Sequence, residues 1–179
     1  VLAARREANA GQLQAAAERL RPVLQTASGR DRLDALQLGR RLLPQDDPEA
    51  LRWTEAAAAL ALQLGRTRDF ADAAAAATSL HISRGELSAA HHWLGRLEPY
   101  AATSDEARVW ARYYAGVLAS RTGDLGTALR SFDEARRGAR RLGMSDVLLA
   151  ASELLGPALA ELGRGGEALA VIRDTLALA

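Results

Sequence analysis

The sequence predicts an all-α fold of about five antiparallel helix pairs. Three observations predict it. Ala, Leu, Arg, Glu and Gln, all strong helix formers, dominate the chain. β-branched residues are sparse, and no apolar–polar alternation is long enough for a strand. Short breaks, most of them holding glycine, fall at regular intervals.

Taken in order, a first short helical stretch ends at Gly11, and a helix over Gln12 to Ala27 follows. Ser28-Gly29 breaks it. Asp31 to Leu43 is the next helix, stopped by Pro44. Asp47 is placed to cap a helix with Pro48 at its first position, where the missing N–H costs nothing. That helix reaches Leu64, and Gly65 ends it. Arg68 to Ser83 leads to Gly85, and Glu86 to Tyr100 follows. Thr103-Ser104-Asp105-Glu106 reads as a capping box opening a helix to Arg121. After Gly123, Asp124 to Leu142 is helical, and Gly143 ends it. Ser145 reads as the cap of a helix to Leu162, with Pro157 inside it. Gly163 to Gly166 makes the last turn, and a final helix starts near Glu167. The pairs run roughly over 1–28, 30–65, 68–101, 104–142 and 145–179. Connections this short force neighbouring helices to pack on each other.

Composition excludes several functional classes. The 179 residues carry a formal charge of +1, from 23 basic and 22 acidic groups. This balance argues against a dedicated nucleic-acid or membrane-surface binder. The absence of cysteine removes disulfides and thiolate metal sites. No apolar run approaches the roughly 20 residues of a membrane span, and no leader pattern stands at the start. The absence of Lys, with heavy use of Ala and Leu, suggests a bacterial genome rich in G and C. With no initiator Met and an uncapped last helix, the chain reads as one domain excised from a larger protein.

Catalytic chemistry finds no support. His81, His91 and His92 lack metal-binding spacing, even with Glu86 or Asp72 near them. Gly163-Arg164-Gly165-Gly166 lacks the Lys of a phosphate loop. Asp46-Asp47 and Asp133-Glu134 are adjacent pairs that do not converge in a helix. Arg136, Arg137, Arg140 and Arg141 make a basic patch that reads as a solvated outer face, with Asp133 as its partner. The expectation is a protein that is not an enzyme and holds no cofactor and no metal.

A repeat runs through the breaks. Gly85, Gly123 and Gly163 stand 38 and 40 residues apart, and Gly11 lies 74 before Gly85. Five residues after each glycine is a small residue: Ala16, Ala90, Ala128 and Ala168. Nine after is a large apolar one: Leu20, Leu94, Phe132 and Ile172. Gly116 and Gly156 stand seven before the last two turns. Small residues let two helices approach, and the large one fills the space beside them.

These residues resemble the tetratricopeptide repeat, a helix–turn–helix unit. The match is best in Gly116, Gly123, Ala128, Phe132 and Ala135, and in Leu155, Gly156, Gly163 and Ala168. It departs where Arg112 and Ser152 replace the family's early aromatic, where the unit around Asp47 lacks the turn glycine, and in its longer period. The long-repeat form is similar to sensor arrays of large bacterial transcription regulators. The resemblance implies a right-handed α-solenoid with its binding groove on the concave face, lined by the first helix of each pair. Carried over, the groove positions are Trp110, Tyr113, Tyr114, Val117 and Arg121, flanked by Asp72 and Ser79 on one side and Glu153 on the other. The first five form one stripe at helical spacing. Tyr and Trp suit wet recognition surfaces, though such a stripe also reads as core. The family's clamp for a C-terminal carboxylate is absent, with Tyr113 and Val117 at two of its positions.

The expected function is recognition in the cytoplasm: a protein, peptide or effector bound on the concave face, as the regulatory part of a bacterial signalling or transcription regulator. The alternatives are self-association through the end helices, involving Leu176 and Leu178, and small-molecule sensing by the aromatic stripe. No direct nucleic-acid or membrane contact is expected.

Overall fold

The computed structural model describes residues 1–176. Among them it is all-α, with ten helices and no strand: α1 Leu2–Asn9, α2 Leu13–Thr26, α3 Gly29–Leu42, α4 Pro48–Gln63, α5 Thr67–Ser83, α6 Leu87–Ala101, α7 Asp105–Arg121, α8 Leu125–Leu142, α9 Ser145–Glu161 and α10 Gly165–Leu176. None of them is long and apolar enough to cross a membrane. Leu178 lies outside the described residues.

The chain forms two compact units, Val1–Trp93 and Leu94–Ala179, which divide within α6. In the first, consecutive helices from α1 to α5 pack on each other. In the second, α7 to α10 do the same, and α7 also touches α9.

The helix ends repeat one device. Gly11, Gly65, Gly85, Gly123, Gly143 and Gly163 all have left-handed backbone, with φ between 64° and 80°. At each, the N–H of the following residue donates to a carbonyl four residues before the glycine. Asp124 to Ala119 and Met144 to Ala139 are examples, both 2.9 Å. This is the Schellman closure, which satisfies carbonyls that the helix end would leave open.

The packing follows the repeat. Ala16, Ala90, Ala128 and Ala168 are all buried, as are Leu20, Leu94 and Phe132. A Cβ on Gly116 would meet the Phe132 ring at 2.7 Å, so α7 and α8 cross where only glycine fits. Ala4 and Thr78, seven residues before Gly11 and Gly85, take the matching small, buried place. The pair α3–α4 keeps the interlock without the turn glycine: a Cβ on Gly39 would collide with the Trp53 ring.

The caps differ in detail from the sequence reading. Asp47 caps α4 as expected, accepting from the Glu49 N–H at 2.7 Å, with Pro48 in the first turn. Ser104 alone caps α7, accepting from the Ala107 N–H at 3.2 Å. Thr103 instead donates to the Tyr100 carbonyl at the end of α6, so no capping box forms there. Ser145 is already helical, and Met144 holds the cap position without a side-chain bond. α9 runs through Pro157 as one helix, with that ring exposed.

Candidate functional site

Trp110, Tyr113, Tyr114 and Val117 come together on one side of α7. Trp110 stacks on Tyr114 with ring centroids 5.7 Å apart and planes 15° from parallel. Tyr113 sets its edge against both, at 6.2 Å and 5.1 Å, and lies 6.3 Å from Phe132. Spacing of three and four residues on one helix sets Tyr113 and Tyr114 beside Trp110.

The four residues differ in burial. Tyr114 is only 7% exposed and belongs to the core, so its ring offers no free face. Trp110, Tyr113 and Val117 are half-buried. Tyr113 joins two apolar clusters. One holds Phe132, Leu155 and Leu159, with Val117 against it. The other holds Val109, Ala139, Val147 and Leu148, with Trp110 and Met144 against it. The periodicity put these residues on one side of α7, but one residue of rotation, about 100°, separates a buried tyrosine from a half-exposed one.

Glu153 on α9 is exposed and faces Tyr113 electrostatically. Burial, and then the Glu153 charge, push the Tyr113 phenol above its ordinary value. Arg121 ends the stripe, exposed and without an ion pair among the described residues. A recess of about 380 Å³ opens beside Trp110, lined also by Gly143, Met144, Ser145, Asp146 and Val147. The sequence expectation gave Gly143 as a turn and Ser145 as a cap, but placed neither in the site.

Asp72 and Ser79 lie on α5, in the first unit, both half-buried. Asp72 is engaged there: it accepts from Arg40, whose side chain is only 7% exposed, and from Arg41 at 3.1 Å. This pairing spans 32 residues and ties α3 to α5.

The histidines do not gather. His91 and His92 are exposed. His81 is buried, with Nδ1 2.6 Å from Glu86 and Nε2 3.4 Å from Glu55. It links α4, α5 and the start of α6 through side chains of the first unit. No group of three potential metal ligands occurs among the described residues.

Three buried hydroxyls are satisfied locally. Thr54, Thr78 and Ser152 each donate to a carbonyl four residues earlier, at 2.7, 2.9 and 2.7 Å. The arrangement as a whole offers apolar contact area, a few polar tips and a recess. A scan of family models finds no match for this chain, and a search among curated proteins finds none either.

Proposed function

We propose that the chain is a non-catalytic recognition module of the tetratricopeptide type, binding a protein, peptide or effector on the aromatic side of α7. One observation supports this reading above the others: Trp110 and Tyr113 keep part of their ring surface open beside an exposed carboxylate, Glu153, and a recess. Half-buried aromatics held rigid by their neighbours give contact area at little entropic cost. On the resemblance, the parent is a cytoplasmic bacterial signalling or transcription regulator, and this part is its sensor. Native mass spectrometry of the chain purified from its own host, beside Trp110→Ala, tests it. The expected result is a bound mass on the wild type that the variant lacks while its helical circular dichroism is kept. Equal loading of both proteins, or a variant that has lost its helices, removes the site. A bound mass of a few hundred daltons would make it a small-molecule sensor.

A second reading, self-association, has its own support. Leu169 and Ile172 on α10 are 63% and 47% exposed, whereas Leu129 and Phe132, at the same distances from their turn glycine, are buried. Leu176 extends this apolar stripe by one turn. Analytical ultracentrifugation over a range of concentrations tests it. A mass that rises with concentration, and returns to monomer in Leu169→Ser with Ile172→Ser, is expected on this reading. A monomer throughout excludes it.

A further inference from the structure

A second groove runs between α7 and α8, on the side of α7 roughly 140° around the helix from the Trp110 stripe. Its volume is about 260 Å³. Arg108 and Arg112 stand on its α7 wall, and Arg137 and Arg141 on its α8 wall. Val109, Gly138 and Leu142 supply an apolar floor. The floor exists because a Cβ on Gly138 would lie 2.5 Å from Val109, so the two helices meet closely there.

The charge does not cancel within the groove. Its lining holds four guanidinium groups against two carboxylates, Asp105 and Glu134. That excess of two positive charges exceeds the formal +1 of the whole chain. Arg112 spends its charge on Glu134 at 2.9 Å, and Arg108 on Asp105 at 2.5 Å. Arg137 turns to Asp133, outside the groove, at 3.2 Å. Arg141 is exposed and makes no ion pair or hydrogen bond with any described residue.

We propose that this groove docks an acidic peptide segment of a partner protein, with carboxylates on Arg137 and Arg141 and an apolar side chain on the floor at Leu142. Guanidinium forks match carboxylates in two-bond geometry. From Glu134 to Leu142 the α8 wall runs roughly 12 Å, at 1.5 Å per residue. About four residues of extended chain cover that length. The apolar floor and the two lining carboxylates favour mixed acidic and apolar sequence over a dense polyphosphate. The groove lies away from Trp110, so this reading and the aromatic one stand or fall separately.

Fluorescence anisotropy with a labelled peptide alternating Glu and Leu tests it, beside the same peptide with Gln for Glu. The acidic peptide binds saturably, weakens with added salt, and exceeds the Gln peptide by about tenfold. Arg137→Glu with Arg141→Glu loses about tenfold. Arg5→Glu with Arg173→Glu, an equal charge change on α1 and α10, behaves as the wild type. If the double variant loses its helical signal, Arg141→Gln alone gives the reading. No saturable binding at millimolar peptide overturns the proposal, as does equal binding by the groove variants. A single-stranded oligonucleotide that binds more tightly and displaces the peptide also overturns it, in favour of a polyphosphate.

Discussion

Gly116 on α7 and Phe132 on α8 interlock: the ring occupies the space where a Cβ on residue 116 would stand, 2.7 Å from its nearest carbons. Gly116→Ala must push a fully buried ring, and overpacking of this kind costs about 1–3 kcal/mol. Gly126→Ala on the same hairpin meets nothing nearer than 3.6 Å and gains up to about 0.5 kcal/mol from reduced chain entropy. Urea denaturation of both variants checks the contrast. Equal midpoints would show that the ring has room to move.

Tyr113 predicts an alkaline limb in stability. Its phenol is held above the ordinary value of 10.0, first by burial and then by Glu153. The folded chain thus binds this proton more tightly than the unfolded one. The contribution is complete below the unfolded value and is lost as pH rises through the folded value. Stability measured from about pH 9 upward should fall, and Tyr113→Phe should flatten that part of the fall. Glu153→Gln should narrow the shift without removing it. An unchanged profile in Tyr113→Phe would place the alkaline loss elsewhere.

Asp72 predicts a structural cost unrelated to binding. Its carboxylate is half-exposed, but Arg40 beneath it is buried. Asp72→Ala leaves that guanidinium without its carboxylate, for a loss of about 1–2 kcal/mol after allowing for solvent screening. Thermal denaturation reads it. A variant as stable as the wild type would mean that Arg40 is satisfied by its other contacts.

Gly123 predicts a conformational cost. Its φ is +80°, and nothing lies within 4 Å of the place a Cβ would take. Gly123→Ala therefore costs about 1 kcal/mol through the backbone alone. Gly123→Asn recovers part of this, since Asn tolerates the left-handed region. Identical losses in the two would point to a steric cause.

Local relationships were legible in the sequence, and distant ones were not. Gly123, Ala128 and Phe132 lie within one hairpin, so their spacing carries the turn and the packing together. Gly39 and Trp53 make the same kind of interlock, yet no turn glycine separates them to set a register. That pair was invisible for this reason. The aromatic stripe was legible as a stripe, because helical period places Trp110, Tyr113 and Tyr114 on one side. Which ring is buried depends on what α8 and α9 bring, and those contacts come from elsewhere in the chain. The role of Asp72 depends on Arg40, 32 residues away on another helix. The arginine groove needs both α7 and α8 walls; along α8 alone its residues look like a solvated face.

The six glycine closures have a consequence for how such a chain can change. Each helix end ties its own carbonyls to the residue just past the turn, with bonds of 2.8–2.9 Å. No neighbouring hairpin is needed to satisfy that backbone. A whole hairpin can therefore be copied or deleted without leaving an open polar group at the joint, provided the small and large residues at the new seam still match. Duplication of whole hairpins is the cheap route to a longer relative, while loss of a single helix would strand an apolar face and a turn with nothing to close.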